Sequence, residues 1–127
     1  MIVADASAIV AALLHTGPAR DRLGSETVHV PHLADSEIID VVRKLVLRNE
    51  LRAAAAKRAL DVWRRFGVSR WPSVGLYERI WELRDNLSAY DATYIALAEA
   101  LDARLLTADA RLAAAPGSRC SIELVPR

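Results

Sequence analysis

Cysteine is nearly missing from this chain: Cys120 is the only one. That excludes an intramolecular disulfide and a cysteine metal cluster, and it fits a reducing compartment. Lysine is almost as scarce. Of 17 basic residues only Lys44 and Lys57 are lysines and the rest are arginines. Arginine suits bidentate contacts to phosphate or carboxylate, although a compositional bias towards Ala and Arg gives the same enrichment. There is no excess charge either; the net value of +1 gives no bulk attraction to nucleic acid. His15, His29 and His32 lack metal-ligand spacing and read as structural. Long apolar runs are absent. Residues 1–14 are apolar but broken by Asp5, and nothing approaches the roughly 20 residues that span a bilayer. The start lacks the positive region of a secretion signal. These absences lead to the expectation of a soluble, cytoplasmic protein.

What is present is ample for folding. The 127 residues, 53% of them apolar, make one domain with a substantial core. Short apolar runs at 1–4, 28–30, 68–71 and 104–106 read as buried strands, and 121–125 as a final edge strand. Between them lie helical patterns at 7–14, 18–23, 33–49, 51–66, 72–84 and from Ser88 onward. Ile38, Val41, Val42, Leu45 and Val46 form one apolar stripe; Leu60 and Trp63 face inward on the next helix, which Gly67 closes. Trp63, Trp71 and Trp81 read as core or interface residues. The alternation predicts a three-layer α/β/α sandwich with a mainly parallel sheet of about four to five short strands, and 1–127 as a single domain.

Four acids stand out against this frame. Asp5 ends the first strand, Glu37 lies early in the helix after the second, and Asp91 and Asp109 lie at the starts of helices flanking the strand at 104–106. Ligands of open parallel sheets bind where the strands end. Two carboxylates 4 Å apart repel by about 4 kcal/mol at an effective dielectric of about 20. Such a cluster needs protons, arginines or a divalent cation, and oxygen-only ligands suit Mg²⁺ or Mn²⁺. Each acid also has a duller role. Asp91 can be the far half of a capping box begun by Ser88. Asp5 and Asp109 can favour a helix dipole, with Thr107 as the cap before Asp109. Glu37 and Asp40 can pair with Arg43 or Lys44, and Asp35 can cap or face solvent. The hydroxyls of Ser7 and Thr107 are placed either to cap or to orient a carboxylate.

The segments IVADASAIV, HLADSEIIDVVRKL and LSAYDATYIALAEALDARLLTADARLAAA together resemble the PIN-domain endoribonucleases of the VapC toxin type, in order and over essentially the whole chain. The resemblance implies a Mg²⁺-dependent (or Mn²⁺-dependent) endoribonuclease. Asp5, Glu37, Asp91 and Asp109 would be its catalytic and metal-holding acids, with Ser7, Thr107 and Asp40 as polar support. It implies a structured cellular RNA substrate such as tRNA or rRNA, a VapB-type antitoxin partner, a homodimer, and contact with DNA only through the antitoxin. One departure is Asp40, where many relatives carry Asn. The alternative is a catalytically weak PIN scaffold that serves in repressor assembly with the antitoxin. A phosphoacceptor receiver fits poorly, because Asp5 has no adjacent acid and no lysine lies late in the chain. A DxD phosphatase fails because Ser7 takes the second position.

Overall fold

The computed structural model describes residues 1–127. Five strands, β1 (Ile2–Ala4), β2 (Val28–Pro31), β3 (Val68–Trp71), β4 (Arg104–Thr107) and β5 (Ile122–Leu124), form one sheet in the order β3-β2-β1-β4-β5. Every neighbouring pair is parallel. Ile2, Val3 and Ala4 are all buried. Successive strand residues point to opposite faces, so both faces of this central strand are covered, as an uninterrupted apolar run requires.

The helices are α1 (Ala6–Leu14), α2 (Pro18–Ser25), α3 (Leu33–Leu47), α4 (Ala53–Arg65), α5 (Tyr77–Glu82), α6 (Ala89–Ala100) and α7 (Ala110–Ala114). The first four pack against one another, while α6 lies along β1, β2 and β4 with α5 beside it. Seven consecutive residues of α6, Ala92 to Ala98, are buried; a helix apolar on all sides belongs in the interior. No helix is long and apolar enough to cross a membrane.

The chain builds outward from β1 to β3 and then returns to place β4 on the other side of β1. Direction reverses there, and the crevice between diverging connections opens at the carboxyl ends of β1 and β4. Asp5 follows β1 directly, and Asp109 follows β4 by two residues.

Several boundaries differ from those the sequence suggested. α3 stops at Leu47, because Asn49 adopts a left-handed conformation (φ 59°) and Glu50 N donates back to Leu45 O, an ordinary helix stop. Gly67 is not the cap of α4. Phe66 turns extended first and packs its ring against Trp63 at 6.2 Å. The single helix expected over 72–84 is a 3-10 turn, Val74–Leu76, followed by the short α5. Trp63 is a core residue, whereas Trp81 is two-thirds exposed.

Candidate active site

A cavity of about 360 Å³ is lined by Asp5, Ser7, Glu37, Asp91, Tyr94 and Asp109, with His15 and Arg127 also on its wall. Four elements supply the acids. Asp5 is the N-cap of α1, and its Oδ1 accepts from Ala8 N at 2.9 Å. The same oxygen accepts from Ser7 Oγ at 2.7 Å, and Oδ2 accepts from the fully buried Thr107 hydroxyl. Ser7 Oγ accepts in turn from Ala108 N at 2.9 Å, and Thr107 Oγ1 from Asp109 N at 3.0 Å. The two hydroxyls thus join the ends of β1 and β4, about a hundred residues apart in sequence, and fix the Asp5 carboxylate between them.

Glu37 faces the cavity from α3, where Tyr94 Oη donates to its Oε1 at 2.6 Å. Tyr94 lies one turn after Asp91 on α6, so both face the same side. Ser88 Oγ accepts from Asp91 N at 3.2 Å, but the Asp91 carboxylate does not reach back to the Ser88 amide. The capping box is therefore half made, and the acid is left facing the cavity. Asp109 is itself the N-cap of α7, its Oδ1 accepting from Arg111 N at 2.9 Å. Thr107 is the last residue of β4 and not a cap, because its hydroxyl is turned inward to Asp5.

Burial pushes Asp5 above the ordinary carboxylate range; the bonds from Thr107, Ser7 and Ala8 oppose this, and the Asp91 charge adds to it. Burial likewise raises Glu37, against the Tyr94 bond and with the charges of Asp91 and Asp5. Burial and then the charge of Asp109 raise Asp91. Tyr94 is held neutral by its burial and by Glu37. The acids therefore feel one another across the cavity, and a cation placed there would relieve all three upward shifts.

Two other acids stand elsewhere. Asp40 does not join the cavity as polar support: it is exposed and paired with Lys44 at 3.1 Å and Arg43 at 3.4 Å, which holds it below the ordinary range. Its spacing of three residues from Glu37 would allow a shared face, but Lys44 and Arg43, one turn on, hold the Asp40 carboxylate at the surface. Asp35 neither caps nor faces solvent alone. It accepts from Arg70 Nε at 2.7 Å and from Trp63 Nε1 at 2.8 Å, and the Arg70 bond depresses its pKa. Between Asp35 and Glu37, only Glu37 faces the cavity. Three polar lining residues were not singled out as site residues from sequence: Tyr94, His15 and Arg127. Tyr94 had a signal, its one-turn spacing from Asp91; Arg127 had none.

The donor set fits a hard divalent cation, being four carboxylates and two hydroxyls around one cavity with no thiolate. No three of the Asp, Glu, His and Cys side chains are already gathered at ion-holding spacing.

A family model described as "PIN domain" matches residues 2–118. The chain is 58% identical to Ribonuclease VapC9 of Mycobacterium tuberculosis, over 127 residues and the full length of both. The crystal structure of PAE2754 from Pyrobaculum aerophilum superposes with a TM-score of 0.72 at 27% identity, covering 95% of this chain and 81% of that one. That of VapBC2 from Rickettsia felis bound to a DNA fragment from their promoter also gives 0.72, at 16% identity, covering 98% and 99%; at that identity the likeness is one of fold.

Proposed function

This chain belongs to the PIN-domain family, as a VapC-type member, and from that premise we propose that it is a Mg²⁺-dependent endoribonuclease toxin acting on structured RNA such as tRNA or rRNA. The observation that carries the reading is the convergence of Asp5, Glu37, Asp91 and Asp109 on one cavity, with Asp5 held by two hydroxyls. These four acids would hold Mg²⁺ or Mn²⁺. When bound, the ion supplies charge stabilisation to a phosphodiester under attack and makes water acidic enough to react near neutral pH. Ser7 and Thr107 fix the Asp5 carboxylate so that its oxygens need not reorganise. Tyr94 does the same for Glu37.

VapC-type membership supports neutralisation by a VapB-type antitoxin. A homodimer is supported by an apolar groove lined by Tyr77, Trp81 and Tyr90, which are 64–68% exposed; such clusters mark association surfaces. Trp81→Glu is expected to shift the protein from dimer to monomer in sedimentation equilibrium. A wild-type monomer at micromolar concentration would remove the dimer from the proposal.

The deciding experiment uses antitoxin-free protein and total cellular RNA. Cleavage with Mg²⁺ or Mn²⁺ is expected, falling to background in EDTA and returning when the metal is restored. Cleavage that persists unchanged in EDTA would refute the metal dependence, and no cleavage under any condition would favour the scaffold alternative.

A further inference from the structure

We propose that Arg127 grips the RNA backbone beside the four acids and sets substrate affinity; the inference rests on the ribonuclease reading above. A cavity walled by four carboxylates repels a polyanion, and one divalent ion would not balance four negative charges, so a further cation facing the substrate is called for. The fold brings Arg127 to that position. Leu124 of β5 is in register with Thr107 of β4, and Val125 N donates to Thr107 O at 2.8 Å. The Val125 side chain is buried, and Pro126 has a fixed φ that continues the path. Arg127 then lies over the end of β4, where its Nε donates to Ala108 O at 3.3 Å, and it lines the same cavity as the acids.

Arg127 forms no ion pair, although four carboxylates line the cavity with it. The nearby Arg111 differs: it approaches Asp109 at 3.7 Å, and its side chain is 91% exposed. With Nε engaged by the backbone, the two terminal nitrogens of Arg127 remain for a ligand. A planar guanidinium anchored at one edge matches the paired oxygens of a phosphate. A tail latch is the duller role, but Val125 already secures the tail through its amide and its buried side chain. Nothing about a latch requires a cation on the cavity wall.

The test compares Arg127→Ala and Arg127→Lys with wild type. Binding of total tRNA and total rRNA is followed by fluorescence anisotropy in an Asp91→Asn background without divalent metal, across a salt series. Arg127→Ala is expected to weaken binding about 10-fold and to reduce the slope of log affinity against log salt by about 0.7 to 1, the signature of one lost phosphate contact. Arg127→Lys should recover most of the slope and part of the affinity. In the otherwise wild-type enzyme, kcat/KM falls about 10-fold, chiefly through KM. An Arg127→Ala protein that melts lower but binds with unchanged affinity and slope is a latch, and the proposal fails. A variant that binds or cleaves better has lost a plug, and the proposal fails equally. Wild-type protein that cleaves RNA while Arg127→Ala is indifferent overturns only this inference. Wild-type protein that neither binds nor cleaves RNA overturns the ribonuclease reading, and this one with it.

Discussion

Asp91→Asn is expected to abolish RNA cleavage and, in the same protein, to raise the melting temperature at neutral pH without metal. The first effect follows from removing one of four charges around the proposed ion. A loss of about 10²-fold or more is the scale of removing a group that stabilises developing charge. The second follows from electrostatics. Burial and then the Asp109 charge lift the Asp91 carboxyl above its usual range, so the folded chain binds this proton more tightly than the unfolded chain does. Its contribution to stability is full below the unfolded pKa and is lost as pH rises through the folded one. Loss of this proton as pH rises is therefore a liability that asparagine removes. After allowance for solvent screening at this half-buried group, about 1 kcal/mol, or about 4 °C, is the expected gain. The gap between variant and wild type should close as pH falls towards 4. It should close from the other side when Mg²⁺ stabilises the wild type by mass action. Calorimetry at pH 4.5, 6 and 7.5, with and without Mg²⁺, reads all of this. An Asp91→Asn protein that cleaves like the wild type would sink the four-acid site.

Thr107→Val changes shape little but should weaken both fold and activity. The fully buried hydroxyl donates to Asp5 and accepts from Asp109 N. Valine leaves a buried carboxylate short of one donor and an amide without its acceptor, a loss of about 2–3 kcal/mol in chemical denaturation. Activity should fall about 10- to 100-fold, as for groups that orient a metal-holding carboxylate. The direction of a third change is fixed too. The Thr107 bond opposes the upward shift of Asp5, so without it the carboxyl protonates at higher pH. The acid limb of the pH–rate profile then moves upward. Thr107→Ser keeps the hydroxyl and should restore the profile. A valine variant with unchanged activity and acid limb would show that the hydroxyl serves only to pack.

Much of the convergence of acids on one cavity was legible because its signals are local. Asp5 follows three buried strand residues, and a strand end in a parallel sheet is already an address. Asp109 is placed the same way after β4. Ser7 and Thr107 were ambiguous between capping and orienting. In the fold both hydroxyls donate to the Asp5 carboxylate, because the ends of β1 and β4 lie side by side and that carboxylate fits between them. Asp91 carried a misleading local signal, since the Ser88 spacing suits a reciprocal cap that is only half made. One missed feature has remote partners. Asp35 is held by Arg70, thirty-five residues on, and by Trp63. For Asp35 a tertiary contact took precedence over a local propensity. Gly67 lost its expected role for a local reason: Phe66, three residues after Trp63, turns extended first and sets its ring against that indole.

From the amino-acid order alone came the alternation of short apolar runs with amphipathic helices, the parallel layering that follows from it, and an inventory of acids at strand ends and helix starts. These depend on backbone geometry and periodicity within a few residues. The folded chain decided which acids meet, that Glu37 and not Asp35 joins them, that Tyr94 secures Glu37, and that Arg127 stands on the same wall. The reason is the reversal of strand order at β1. It sets the beginning of the chain between segments about a hundred residues later on one side and about thirty later on the other, and no local periodicity encodes that juxtaposition.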